Sequence, residues 1–565
     1  MPEIAETKKK QWSRKEVAEK IESYEEAYQR TPSQRQVAVE LEIPRSTLQH
    51  WLARKDGIDA EPEVVAFFES SVGIAFLHRL VLAAHFVITL LGPSGIRRVC
   101  LFLELTGLDQ FVAASYGAQQ QVSVALEESI VAFDKMEKKR LAKDMKPKQI
   151  TVCEDETFHP EVCLVAIEPV SNFILLERYA DNRKAETWSQ AMTEATEELP
   201  VEIIQATSDE GPGLLCHVKE ELGAHHSPDV FHVQNEVVKG TGGALASKKR
   251  QAEEAVVKAV QQSSRLQKKK EAILKKEENS ECWPELDGKI EQAQEQVRKT
   301  QQALETAAER QERARNAIRG ISEVYHPYDL ETGAPKSAEE VSVALEQHFA
   351  EIETVAAEAH LSERCVKRIE KAKRVTVGMV ATMAFFLLTV RAKVEALSLA
   401  PEVEKAMHHN LIPAIYLHLV AEKTQDVEQR PVLQMKSEEL LAPLLDRAGP
   451  LADLTAEEKV VLETVAQGCA QLFQRSSSCV EGRNGYLALY HHSLHRLGDR
   501  KLAALTTVHN YFVKRQDDTT AAERFFGSRP KDLFGWMLDQ VDLPGYPARK
   551  RSQPKPKEFL AQVAA

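Results

Sequence analysis

The chain has 565 residues, 43% hydrophobic and 28% charged, with a formal net charge of −12. That length exceeds one ordinary core and calls for several domains. The composition excludes a disordered chain, and the negative balance does not by itself advertise a nucleic-acid binder.

The eight cysteines show no paired spacing and follow no signal segment, which reads as reduced thiols of a cytosolic protein with no membrane partner. The longest uncharged apolar run, Val375 to Val390, is short for a bilayer span and fits a buried core helix. Basic runs stand out against the acidic average at Lys8–Lys10, Lys248–Arg250, Lys268–Lys270 and Arg549–Arg551. Each reads either as a phosphate-contacting surface or as a solvated helix face.

Residues 1–57 read as a small helical unit. In "SQRQVAVELEIPRSTLQHWLARK" (Ser33 to Lys55) the apolar positions are Val37, Ala38, Leu41, Ile43, Leu48, Trp51 and Leu52, broken at Ile43-Pro44. Small Ala38 lets two helices cross closely, the construction of a helix-turn-helix. The second helix, about Ser46 to Arg54, would enter the major groove. Arg45, Ser46, Thr47, Gln49, His50, Arg54 and Lys55 are the expected DNA contacts. The turn usually takes Gly where this chain has Glu42.

Residues 58–147 read as a helical linker domain. Its segment "IRRVCLFLELTGLDQFVAASYGAQQQVSVALEESI" fits either a second helix-turn-helix or a structural bundle. From Lys148 the texture changes. Ile150–Cys153, Val162–Ile167 and Phe173–Tyr179 read as three successive strands. A helix (Lys184 to Glu198), a strand (Val201–Ala206), a helix near Gly213–Leu222 and a strand near Asp229 come next. The region 148–243 is thus β-β-β-α-β-α-β.

Residues 244–473 read as all-α. Ile290, Val297, Leu304 and Ile318 recur on a seven-residue grid, and "ENSECWPELDG" interrupts the run. A coiled-coil hairpin over about 247–320 is the economical picture. It would contact DNA, mediate self-association or simply brace domains. Residues 474–540 return to a helix starting near Glu481, and 541–565 form a basic tail. The loop "YHPYDLETG" (Tyr325 to Gly333) suggests only packing of its two tyrosines.

The acids carry the chemistry. Asp155 is expected just past the first strand and Asp209 just past the fourth, on neighbouring strands. Two carboxylates held together repel unless a cation lies between them, and hard divalent ions take such oxygen ligands. Glu481 is the candidate third acid, with Glu154, Glu156 and Glu210 close in sequence. Zinc is disfavoured at His225, His226 and His232 and at His491, His492 and His495, which lack paired ligand spacing.

"EDET" (Glu154–Thr157), "SDEGPGLL" (Ser208–Leu215) and "SCVEGRNGYL" (Ser478–Leu487) resemble the three acidic motifs of DDE transposases. The tail "HNYFVKRQDDTTAAERFFG" resembles the segment beyond the glutamate in bacterial insertion-sequence transposases, with Asp518 where Gly is common and Ala521 where Pro is. "DVFH" (Asp229–His232) resembles the Asp-x-x-His motif of members whose catalytic domain is interrupted by a helical insertion. The long spacing from Asp209 to Glu481 fits such an insertion.

The resemblance implies an α+β, mostly helical multidomain protein with a ribonuclease H-like mixed-sheet core. Asp155, Asp209 and Glu481 would bind two Mg²⁺ ions, with Mn²⁺ as a substitute, and Asp229 and His232 would support the site. The implied activity is cleavage at the ends of a mobile element and joining of its 3′ ends to target DNA. Double-stranded DNA (terminal repeats and target) and a homodimer or larger are the implied partners, in the bacterial cytoplasm and on the nucleoid. The alternatives are a domesticated, non-catalytic DNA-binding regulator and a nuclease of the same fold without strand transfer.

Overall fold

The computed structural model describes residues 12–158, 161–275, 283–494 and 497–547. The basic runs at 8–10 and 549–551, His495 and most of the hairpin turn lie outside the described residues. The described protein is mostly helical, with one mixed five-stranded sheet.

The N-terminal helices are α1 (Arg14–Arg30), α2 (Gln34–Glu40) and α3 (Arg45–Lys55). Ser13 starts α1 with a reciprocal capping box to Glu16, which satisfies two orphan donors. Tyr24, Val37, Ala38, Ile43 and Leu48 form this unit's own small core. Glu42, in the turn between α2 and α3, takes a left-handed φ of 53°. The helix Ser71–His85, a π turn, the helix Ile96–Leu105 and a 3-10 turn lead to α4 (Tyr116–Asp144). Helix α4 is a scaffold element: Val122, Leu126, Ile130, Phe133 and Leu141 pack into the main core beside the sheet.

The strands are β1 (Lys148–Phe158), β2 (Val162–Glu168), β3 (Phe173–Ala180), β4 (Val201–Ser208) and β5 (His225–Pro228), in spatial order 3-2-1-4-5. The first three are antiparallel neighbours, while β4 runs parallel to β1 and β5 parallel to β4. Both faces are covered, so β1 and β2 read as continuous buried runs rather than alternating ones. On one side lies the core shared with α4 and the C-terminal helices. On the other, α5 (Ala185–Thr196) buries Trp188, Ala191 and Met192 against Leu164, Ala166 and Leu176.

Two strand boundaries differ from the sequence reading. The first strand continues through Asp155 to Phe158, because beyond Cys153 it leaves β4 yet goes on pairing with β2, Asp155 lying opposite Val165. Asp155 therefore sits inside a strand, at the point where its parallel neighbour ends. The last strand stops at Pro228, and Asp229–His232 begin α6 (Val230–Leu274), whose N-cap is Asp229.

Helix α6 starts at the sheet itself and runs unbroken through residue 244. Gly240, in the glycine-rich stretch read as a boundary, lies where α6 crosses α8 (Glu363–Glu395). A Cβ there would stand 3.1 Å from the Cys365 carbonyl. Helices α6 and α7 (Trp283–Val324) pack along each other as the long hairpin. A second core joins Val233 and Val237 to Ile321, Met379, Phe386 and Phe473, and the Tyr325 and Tyr328 rings are buried in it.

The helical segments Ser71–Leu91 and Glu363–Glu395 are long and apolar enough to cross a membrane by length and composition. Both contribute buried side chains to the cores just described. The helical region ends at α9 (Ser478–Leu494) and α10 (Asp499–Tyr511), which return to the sheet.

Candidate active site

The site lies where β1 and β4 part. Their last paired residues are Cys153 and Thr207. Two positions further on stand Asp155 and Asp209, so adjacent parallel strands, about 4.8 Å apart, each carry a carboxylate at the same end. Asp209 directly follows β4, and its Oδ1 accepts the Gly211 N–H at 3.0 Å. Gly213, in the short helix beyond it, has no room for a side chain: a Cβ would lie 2.3 Å from the Arg183 carbonyl oxygen.

Strand alternation sends Glu154 and Glu156 to the face opposite Asp155. Glu156 accepts from Trp188 Nε1 at 3.1 Å and Arg183 Nη1 at 3.2 Å. Glu154 is wholly buried, with His217 Nε2 at 3.6 Å from its Oε1. Glu210 is exposed and lines the cleft beside Asp209.

Glu481 reaches the same place from far along the chain. Helix α9 packs across β1 and β2 and carries Glu481 in its first turn. Its start is stitched to the start of α6. Asp229 Oδ2 accepts the Ser477 N–H at 3.0 Å and also the Ser477 hydroxyl, and the Val230 N–H donates to the Arg475 carbonyl at 2.9 Å. Asp229 Oδ1 meanwhile accepts the Phe231 N–H at 2.7 Å, capping α6. Deeper in α9, Arg483 makes a buried bidentate pair with Glu177 of β3, Nε to Oε1 at 2.8 Å and Nη2 to Oε2 at 2.6 Å. His232, in the first turn of α6, is exposed in a cleft that Asp209, Glu210, Asp229, Glu236 and Lys371 also line.

Burial pushes the Asp155 carboxyl up to about 6. The negative charges of Asp209 and Glu481 add to the rise, while the Glu156 N–H and His232 oppose it. Glu481 is also raised, by burial and then by the charge of Asp229, with His232 opposing. These acids thus feel one another. Asn484, one turn beyond Glu481, donates from Nδ2 to Asp155 Oδ2 at 3.1 Å. Its own Oδ1 is buried without a hydrogen-bond partner.

An all-oxygen donor set with an orphaned amide oxygen fits a hard divalent cation better than a soft one. Among the described residues, no three His, Cys, Asp or Glu side chains converge at metal-binding geometry. The acids are gathered at one sheet edge but not closed into a cage.

Other expected site residues take distinct places. Arg45, Ser46, Gln49 and His50 are exposed on α3, and Thr47 is half-buried. Arg54 stacks 3.0 Å over the Tyr546 ring, and Lys55 Nζ meets Glu25 Oε1 at 2.6 Å, so both face the protein. His225 stacks on Phe385 and contacts Thr382 Oγ1 at 3.0 Å, whereas His226 contacts Ser208 Oγ at 3.0 Å.

The His-Asn pair of the tail fastens the edge strand. Asn510 accepts the Ile174 N–H at 2.9 Å and donates to its carbonyl at 3.0 Å, and His509 Nε2 meets the Asn172 carbonyl at 2.9 Å. Thr520 caps the next short helix, and Arg524 holds the Ser171 carbonyl. Sequence reasoning missed Asn484, Lys371 and Ser477. Only Asn484 carried a signal, its i+3 spacing from Glu481 on one helix face.

Residues 407–553 match a family of unknown function, DUF6399. The match takes in Glu481, Asn484 and the tail loop but neither Asp155 nor Asp209. No curated protein and no solved structure matches the chain significantly.

Proposed function

We propose that the protein is a DNA transposase of the DDE type, with a ribonuclease H-like core interrupted after its fifth strand and an N-terminal helix-turn-helix. One observation carries the reading. Asp155 and Asp209 stand side by side at the same end of parallel β1 and β4, and the helix that carries Glu481 in its first turn reaches Asp155 through Asn484, at 3.1 Å. The sheet order 3-2-1-4-5 with an antiparallel first hairpin and the left-handed turn at Glu42 support it.

Asp155, Asp209 and Glu481 would hold two Mg²⁺ ions, or Mn²⁺ in their place. When bound, such ions supply the positive charge that activates an attacking oxygen and stabilises a leaving one at a phosphodiester. The chain's own residues do the rest. Asn484 orients the Asp155 carboxylate, Asp229 fixes the start of the Glu481 helix through Ser477, and His232 offers an exposed imidazole beside the acids. Arg45, Ser46, Gln49 and His50 are exposed to meet DNA at the element's ends, while Arg54 and Lys55 brace the domain. A dimer or larger assembly would let two ends be cut together.

The test is cleavage and joining of labelled duplex DNA carrying the element's flanking ends, with Mg²⁺. Nicked and joined products from the wild type, lost in Asp209→Asn and Glu481→Gln, support the reading. Nicks without joining select the nuclease. End binding without any cleavage selects the regulator.

A further inference from the structure

The N-terminal half of α8 carries a row of cations that runs toward the acidic cleft. Arg364, Lys367, Arg368 and Lys371 recur at three- and four-residue spacing, which puts them on one helix face. Together with Glu363 they line one surface cleft. Lys371 also lines the cleft of Asp209, Glu210, Asp229 and His232, so one cation borders both. Arg364 and Lys371 are seven positions apart on the helix, about 10 Å of path.

One turn of the face is neutralised, since Lys367 pairs with Glu363 at 2.7 Å. Among the described residues, none of Arg364, Arg368 and Lys371 lies in an ion pair. By contrast, Lys373, on another face of the same helix, is neutralised by Glu353 at 2.8 Å. Further along the basic face, Gly378 lets the helix lie against the end of β5: a Cβ there would stand 2.7 Å from Pro228 and 4.0 Å from Glu210 Oε1. The row is therefore aimed at the acids and held there by close packing. Glu210 and Glu236 of the cleft feel Lys371, and Glu236 also feels Arg368. None of the three cations is held in a close ion pair among the described residues, so in a chain of net charge −12 they remain open to a polyanion.

We infer that this face of α8 is a track for the phosphate backbone of the DNA whose scissile phosphate enters the acidic cleft, with Arg364, Arg368 and Lys371 as the phosphate contacts. The inference rests on the proposed function, and it assigns to the insertion a direct role in holding substrate. The row offers charge but no base-reading geometry, so the contact is sequence-independent.

The experiment measures anisotropy of a fluorescein-labelled duplex of arbitrary sequence across a salt series, with the full chain. Removing one phosphate-binding cation lowers the slope of log K against log salt by about 0.9. The variant R364A/R368A/K371A is expected to drop by about 2 to 3 in slope and at least tenfold in affinity near ~0.1 M salt. Lys371→Ala alone should drop by about 0.9, which keeps the test open if the triple variant misfolds, and Lys373→Ala should change nothing. Wild-type binding with an unchanged slope in the triple and single variants would overturn the track and leave the transposase reading standing. A wild type that binds no duplex at any salt would overturn both.

Discussion

The Asp229 carboxylate accepts the backbone N–H of Ser477 at 3.0 Å, across 248 residues of chain. This contact joins the point where the helical segment leaves the sheet to the point where the chain returns to it, four residues before Glu481. The same carboxylate caps α6, so one buried side chain, 1% exposed, fixes both ends of the excursion. Asp229 is thus a fastener of the site's scaffold, and the exposed His232 beside it faces the cleft.

Removing that fastener should cost stability and misplace Glu481. Asp229→Ala loses a helix cap, worth about 1 kcal/mol, and leaves the Ser477 N–H and hydroxyl without their charged partner, about 1.5–3 kcal/mol more. Ser477→Ala keeps the cap and the backbone contact and should cost only about 1 kcal/mol. Urea unfolding of both variants checks the order. Equal losses would show that the clasp is not where the energy lies.

Two departures, Glu42 from the helix-turn-helix pattern and Asp518 from the transposase-like tail, turn out to occupy the left-handed backbone region. Glu42 has φ 53° and Asp518 φ 62°, each where Gly is the usual residue. The loops keep their shape and the side chains bear the strain. Glu42→Gly and Asp518→Gly should each raise stability, by up to about 1 kcal/mol. Asp518 also gives up an exposed ion pair with Lys514, which is worth little. A fall in melting temperature for both variants would refute the backbone argument.

Acid should unfold the protein through its buried imidazoles. Burial pushes His225, His226 and His509 each down to about 4, with cations nearby reinforcing it. Their unfolded values lie near ~6.5, so between those limits the unfolded chain binds more protons. Stability is then full above pH ~6.5 and is lost as pH falls toward 4, on the order of 1–3 kcal/mol per histidine. Asp155, raised to about 6, works the other way: its folded form gains the proton first, so acid relieves it. Glu481 and the buried Asp134 are raised too and work with Asp155, whereas burial also lowers His85 and His326; the histidine shifts are the larger, and the net effect is loss. Melting temperatures from pH 7.5 to 4.5 should fall steeply in the wild type and less in His226→Gln. A flat profile would contradict the burial of these rings.

Much of this was legible in the sequence because each signal was local. The strands announced themselves through β-branched runs such as Ile150–Cys153 and Phe173–Tyr179, and the helix-turn-helix-like core through Val37, Ala38 and Leu48. The illegible parts depended on partners distant in sequence. Strand β1 outlasts its expected end because β2 goes on pairing after β4 has left. Asp229–His232 is helical because the Asp229 side chain caps it. The stretch near Gly240 looked like a break, but its glycine serves a helix crossing against Cys365. Arg54 and Lys55 looked like DNA contacts, yet Tyr546 and Glu25, far from them in the chain, claim their charges.

If Asp155, Asp209 and Glu481 form one divalent-cation centre, Mn²⁺ must bind there. Electron paramagnetic resonance of Mn²⁺ titrated into the full chain at pH 7.5 reads bound ions without requiring any DNA or activity. Saturable binding to the wild type, displaced by Mg²⁺, is expected. Binding should weaken at least tenfold in each of Asp155→Asn, Asp209→Asn and Glu481→Gln, and Asp155→Asn should melt higher than the wild type without metal because a buried repulsion is gone. Mn²⁺ binding that is absent from the wild type, or that survives all three substitutions, would contradict it.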